Sequence, residues 1–310
     1  MNQTKKSILW LAAFLGTSSI PVFAAPFAKG PYLGQTPPGP IPKVFAPGLI
    51  CDTRPHQWET WPSFSADGNT FCFYRRWYVY ITENTDQGWT VPKRIKSIPY
   101  KTAAYCCLSP DGNSIYFIHM DHPSIPYNLC RCQRTPDGWS TRQELGPPLS
   151  SPEYELGISL AANNNIYFGS RRKYHKIWIW FTPFMDNTWP QADRIILNHP
   201  HGGDPGIAPD ESFMVFTAIN LPGSYGQRDL YLTLRQPDGT WSKPRNMGPR
   251  INSAYFEFGP RITPDKKYLF FTRANGWWEN SNRDTSDIYW VELKEYLPES
   301  YRSPERISSE

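Results

Sequence analysis

Residues 108–117 read LSPDGNSIYF: a short apolar start, an Asp-Gly pair, and a second apolar run rich in aromatic and β-branched residues. Asp-Gly between two such runs is a strong hairpin signal, because the glycine takes up the positive φ that a tight turn requires. The pattern recurs as FSADGNTFCF at 64–73, IAPDESFMVF at 207–216 and ITPDKKYLFF at 262–271, with a degraded copy, SLAANNNIYF, at 159–168. Each copy runs on into a third apolar stretch: WYVYIT (77–82), YNLCRC (127–132), KIWIWF (176–181), RDLYLT (228–233) and DIYWVEL (287–293). Beyond four of these stands a tryptophan, at Trp89, Trp139, Trp189 and Trp241, with spacings of 50, 50 and 52 residues.

A repeat of about 50 residues with four antiparallel strands is the signature of a propeller blade. Five copies predict an all-β chain, a single closed β-propeller of five four-stranded blades, six being the alternative. The fifth copy stops after its third strand, near Leu293, whereas KVFAPGL at 43–49 precedes the first copy without a unit of its own. That segment is similar to KPRNMGPRINS, which starts at Lys243. The N-terminal strand is therefore expected to complete the last blade and close the ring, hiding edges that would otherwise invite aggregation. Each blade's tryptophan is expected to be buried against the adjacent blade.

The chain opens MNQTKKSILWLAAFLGTSSIPVFAAPF. Lys5 and Lys6, the apolar run from Ile8 to Leu15, and the small-residue site at Val22-Phe23-Ala24 are laid out as a secretory signal peptide, residues 1–24, cut after Ala24 or Ala25. The apolar run falls short of the roughly 20 residues that cross a bilayer, and no later segment reaches that length, so no span is expected after cleavage. A Pro/Gly-rich leader (25–42), the propeller (43–300) and a polar tail (301–310) follow. The expected location is periplasmic or secreted, and the expected state a monomer. Aromatics at 15%, with 32 prolines and 21 glycines, favour strands and turns over long helices. A net charge of +4 without a basic stripe argues against nucleic acid as a partner. Six cysteines, Cys51, Cys72, Cys106, Cys107, Cys130 and Cys132, either form up to three disulfides in an oxidising compartment or pack as small apolar residues; their spacing fixes no connectivity.

The S-x-D-G strand pair, the following D-I-Y and the G-W-S-x-P segment together resemble the WD40-like β-propeller repeat of TolB-like periplasmic proteins. The residues that carry the resemblance are Asp67-Gly68, Asp111-Gly112, Asp210 and Asp265, with Phe73, Phe117, Phe216 and Phe271. It covers about 43–298 and implies the fold; by analogy it implies a scaffold for an envelope protein complex. Asp210-Glu211 and Asp265-Lys266 lack the glycine, and the third copy lacks the aspartate, departures that touch turn geometry alone.

In a blade whose first strand lies innermost, the loop entering that strand and the loop between strands two and three share one rim. Glu59 with His56, Glu155, Asp204 with His199 and His201, and Glu257 stand at the first of these places. Arg75, Arg171, Arg172 and Arg273 stand at the second. These eleven are the candidate ligand-binding residues. The competing reading is that the repeated acids tie down backbone. HPHGGD at 199–204 breaks the repeat, and two imidazoles beside a carboxylate (His199, His201, Asp204) could hold a divalent metal. Trp58, Trp61, Trp77, Trp277 and Trp278 could stack on sugar rings, and the arginines could pair with carboxylates. Three functions fit: a module binding a glycan or partner protein, a glycan-cleaving hydrolase or metal-assisted lyase, and the scaffold. No G-x-S-x-G elbow or phosphate loop is present, which sets aside serine hydrolases and nucleotide enzymes.

If residues 1–24 are an export signal, protein recovered from the periplasm or medium begins at Ala25 or Pro26. Intact-mass measurement checks this; a secreted chain that still carries Lys5 and Lys6 defeats it.

Overall fold

The computed structural model describes residues 28–54, 56–101, 103–120, 127–173, 176–197, 202–219, 221–276 and 285–302. The signal-peptide segment, His199, His201, Trp277, Trp278 and most of the tail lie outside them. The repeated turns set the local geometry. In the first two copies Gly68 and Gly112 take φ of 70°. The aspartate beside each accepts a hydrogen bond from the backbone N–H two residues on, Asn69 to Asp67 and Asn113 to Asp111, both at 2.9 Å. In the later copies Asn164, Glu211 and Lys266 occupy the same left-handed position, with φ of 67°, 60° and 58°. The turn thus survives loss of its glycine, at a steric cost of about 1–2 kcal/mol per residue.

Strand β1 (Lys43–Val44) comes first, and five antiparallel units follow. Unit one holds β2 (Glu59–Phe64), β3 (Thr70–Arg75), β4 (Tyr78–Thr85), β5 (Gly88–Trp89) and β6 (Lys93–Arg94). Unit two holds β7 (Ala103–Leu108), β8 (Ser114–His119), β9 (Asn128–Thr135), β10 (Gly138–Trp139) and β11 (Gln143–Glu144). Unit three holds β12 (Glu155–Leu160), β13 (Ile166–Ser170), β14 (Trp178–Thr182) and β15 (Asp193–Arg194). Unit four holds β16 (Gly203–Ile207), β17 (Phe213–Ile219), β18 (Arg228–Leu234) and β19 (Arg245–Asn246), and unit five β20 (Phe256–Ile262), β21 (Tyr268–Ala274) and β22 (Ser286–Glu292). The first strands lie against one another in the order β2, β7, β12, β16, β20, and β2 also touches β20. Strand β1 runs antiparallel to β22, with Lys43 opposite Trp290 and Val44 opposite Tyr289.

Apolar side chains fill the spaces between units. Phe45, just past β1, is fully buried and meets Phe71 of unit one and Phe270 and Trp290 of unit five at ring-centroid distances of 4.8–5.5 Å. The described part of the leader joins this cluster through Leu33 and Tyr32. The expectation for the four tryptophans holds for two of them. Trp89 and Trp241 are 1% and 7% exposed, whereas Trp139 and Trp189 are half-buried. The leader makes the difference at Trp89, whose indole N–H donates to the Gly30 carbonyl at 2.8 Å; Trp139 is covered on one face by Arg134. All six cysteines are buried free thiols, so they serve as small apolar residues. Burial pushes the Cys72 thiol well above its usual range, which makes it a poor nucleophile. Among the described residues no helix is long and apolar enough to cross a membrane.

Trp89→Ala should cost about 3–5 kcal/mol, the range for deleting a buried aromatic. Trp139→Ala should cost less than half of that. Urea unfolding of both variants measures the difference; equal losses would place the two rings in the same environment.

Candidate functional site

Every first strand carries an irregularity near its middle. The ladder slips between Thr60 and Ser63, Ala104 and Cys107, Leu156 and Ile158, Gly203 and Gly206, and Phe258 and Arg261. At each slip one residue has positive φ: Trp61 (49°), Tyr105 (57°), Gly157 (51°), Asp204 (45°) and Gly259 (60°). A bulge re-aims side chains, and here three side chains and two glycines share the centre. A Cβ on Gly259 would sit 2.7 Å from the Trp61 ring, and one on Gly157 2.6 Å from Cα of Asp204. Trp61 stacks at a tilt on Tyr105, centroids 4.6 Å apart. The centre is thus filled by Trp61, Tyr105 and Asp204, and the two glycines make room for them.

The repeated acids are placed otherwise than a shared open mouth would require. Glu59, Glu155 and Glu257 are fully buried, and each meets an arginine of its own unit: Arg75 at 2.9 Å, Arg172 at 2.9 Å and Arg273 at 2.7 Å. Each arginine then donates to the backbone leading into the first strand: Arg75 to Ile50 and Leu49, Arg172 to Leu149 (2.8 Å) and Arg273 to Ile251 (2.8 Å). The guanidiniums lie over rings of the second and third strands, Arg273 4.6 Å from Tyr289 and Arg172 4.9 Å from Phe168. Ser151 and Ser253 donate to the carboxylates of Glu155 and Glu257 at 2.6 and 2.5 Å. These are struts that pin each unit's lead-in to its ladder. Burial pushes the Glu59 carboxyl up to about 7, against the pull of Arg75; Glu155 and Glu257 move the same way.

Among the described residues units two and four have no such strut. Ala103 faces His119 in one, and Gly203 faces Thr217 in the other. Asp204 is no counterpart of the glutamates, since it stands at the bulge, deeper toward the centre. A cavity of about 180 Å³ opens there, on the rim where first strands begin, between units three and four. Tyr105, Leu156 and Ile177 form apolar walls, and Arg171, Lys176 and Arg228 bring three cations. Asp204 is 4% exposed and has Arg228 3.7 Å from its Oδ2. Among the described residues neither Asp204 Oδ2 nor the buried Thr217 Oγ1 has a hydrogen-bond partner. Burial raises the Asp204 carboxyl, while Arg228 and Arg261 pull it down. Such a cavity can accept hydrogen bonds from hydroxyls at its base and pair an anion at its edge.

Of the residues singled out from sequence, the fold brings Asp204 and Arg171 to this cavity. It assigns Glu59, Arg75, Glu155, Arg172, Glu257 and Arg273 to struts and leaves His56 exposed on a left-handed turn. Trp61 is buried at the centre, and Trp58 and Trp77 pack against the core, so none of the three is an open stacking platform. The metal expectation at His199 and His201 lies outside the described residues; among those described, no group of three or more His, Cys, Asp or Glu could hold a metal. Sequence reasoning missed Thr217, Lys176 and Arg228. A signal for Asp204 was present, because Glu59 and Glu257 precede their turn aspartates by eight residues (67 − 59, 265 − 257) and Asp204 by six (210 − 204).

No protein-family model matches the sequence, nor does any curated protein. Solved structures match it in shape. TolB from Acinetobacter baumannii superposes on 76% of this chain and 57% of its own, with TM-score 0.50 and 9% identity. The fold is a TolB-like β-propeller. This chain spans just over half the length of that TolB. A glycoside hydrolase matches over 84% of this chain and 93% of its own at TM-score 0.52 and 9% identity. A thermostable family-43 glycoside hydrolase matches over 75% and 89% at 0.50 and 12%. At such identities the likeness is one of fold, and activity must be argued from the site.

The struts give this propeller a pH signature. Glu59 titrates near 7 when folded against an ordinary value of 4.5, so between those limits the folded chain holds a proton that the unfolded chain has lost. Its contribution is full below the lower value and is lost as pH rises through the upper one. The thermal midpoint should fall between pH 5 and 8, and Glu59→Gln should shrink that fall. An unchanged pH slope in the variant would mean that Arg75 keeps the carboxylate ionised throughout.

Proposed function

We propose that this chain is an exported binding module whose rim cavity, between units three and four, holds an acidic glycan. In this reading residues 1–24 direct export to the periplasm or beyond, and the five units form five blades of a ring that β1 closes. The observation that carries it is a pair of buried oxygens, Asp204 Oδ2 and Thr217 Oγ1, that have no hydrogen-bond partner among the described residues, beside Arg171, Lys176 and Arg228. Leaving a polar atom buried without a partner costs about 1–3 kcal/mol, which a ligand hydroxyl would recover. A sugar carboxylate would complete the arrangement by pairing with the cations. The cavity is smaller than the roughly 300–1,000 Å³ usual for drug-sized ligands, which fits one sugar ring or chain end rather than a long stretch.

Binding is preferred to cleavage because glycoside hydrolysis needs two carboxyl groups flanking one bond. Asp204 is the carboxylate among the described residues that line this cavity, and the nearby repeat glutamates are engaged by arginines. The scaffold reading rests on likeness of fold alone.

Calorimetric titration with oligogalacturonate and a neutral galactose oligomer tests this. The acidic ligand should bind at least tenfold more tightly. Arg171→Ala with Lys176→Ala, both exposed positions, should erase the preference without moving the thermal midpoint. Equal binding of both oligomers, or none, would sink the reading, and accumulation of new reducing ends would replace it with the hydrolase.

A further inference from the structure

The opposite mouth of the central channel, on the face of the Asp-Gly turns, holds a second cavity that the rim site does not use. Its volume is about 150 Å³. Phe64, Leu108, Leu160, Ile207 and Ile262, the last residue of each first strand, help to wall it. Arg261 also lines it. No acidic residue is among the described residues that line it. It opens outward into a basin of about 890 Å³, shared through Ala66, Pro209 and Pro264.

Arg261 is 7% exposed. Its Nη1 donates to the Pro260 carbonyl at 2.8 Å and the Pro205 carbonyl at 3.3 Å, and its Nη2 to the Ile158 carbonyl at 2.6 Å. Among the described residues its Nε has no partner. Buried charge is costly unless it is paired and all its donors are used. Asp204, the acid on which its charge acts, already has Arg228 3.7 Å away on the rim side. Ser159, also buried and lining the cavity, accepts from the Ile207 N–H at 3.1 Å and keeps its own proton to give.

We propose that this funnel binds a carboxylate on a slim apolar stem, its two oxygens taking Arg261 Nε–H and the Ser159 hydroxyl while the stem lies against the five apolar walls. A charge-assisted pair in an apolar pocket is among the stronger hydrogen-bonding arrangements available to a protein. The narrow walls favour a monoanion over a bulky, hydrated one. A free aliphatic acid and the C-terminus of a peptide both present this chemistry.

Arg261→Met would also cut bonds that join units three, four and five, so its loss of fold would be uninformative. The test therefore keeps Arg261 and closes the entrance: Ala162→Trp, at an exposed mouth position. The probes are hexanoate and hexanamide, and a short apolar peptide with a free or an amidated C-terminus, followed by ligand-observed NMR and calorimetry on the full chain. At least one carboxylate form should bind ten or more times more tightly than its amide. Ala162→Trp should abolish that binding at an unchanged thermal midpoint. Preference for hexanoate would mark a small acid as the ligand, and preference for the free peptide a chain end. If neither carboxylate outbinds its amide, or Ala162→Trp binds as the parent does, the funnel is no anion site.

Discussion

Five first strands meet around one centre, and regular strands would send five sets of inward side chains into the same space. The bulge resolves the conflict. Each first strand breaks its ladder at one point and places a residue in the left-handed region there. For Trp61, Tyr105 and Asp204 that conformation costs about 1–3 kcal/mol each, and it persists because the surroundings over-determine it. Trp61 packs into space that Gly259 leaves and donates its backbone N–H to Thr272 Oγ1 at 3.2 Å; Asp204 fills the space that Gly157 leaves. A bulge also frees backbone carbonyls from the ladder, and Arg261 collects three of them across units three, four and five. Both cavities depend on this centre, since Asp204 lines one and Arg261 lines the other.

The Glu–Arg struts work further out. A buried ion pair is weak evidence of net stability, because desolvation offsets most of the attraction, but it specifies geometry. Here each pair fixes the lead-in of one unit through bonds to its backbone carbonyls. Three units are pinned in this way. The other two carry small or neutral residues at that place, and beside one of them the rim opens. The rim cavity thus lies where the repeat, among the described residues, omits its own fastening.

The two faces of the fold differ in chemistry for a local reason. Turns between first and second strands are short and sharp, so the turn face is lined by their prolines and aspartates. Loops entering the first strands and joining the second to the third are longer and more varied, and they carry the arginines and lysine of the rim. The leader adds to the turn face by lying against Phe64, Tyr268 and Trp290 through Tyr32, at centroid distances of 5.1–5.8 Å.

Much of the fold was legible because its signals are local. The Asp-Gly turns, the apolar runs on either side and the tryptophan period are written within a few residues of one another. The similarity of 43–49 to 243–253 pointed to a partner for β22, and β1 pairs with it. On the face where the sequence put a site, the fold brings two of the residues named there, Asp204 and Arg171, to one cavity. What remained hidden was non-local. Whether a glutamate is free or engaged depends on an arginine 16 residues away, brought opposite by ladder register, as Glu59 is to Arg75. Residues two apart on a regular strand share a face, so Asp204 read as an equal of the glutamates until the bulge turned it inward. Arg261 draws on Ile158, 103 residues away, and no periodicity encodes that meeting. Sequence by itself determined the repeat, the hairpins and their polarity, because turn chemistry and strand alternation act over a few bonds. The tertiary structure alone decided which charges are neutralised and which face a cavity, because those depend on how separate strands pack around a common centre.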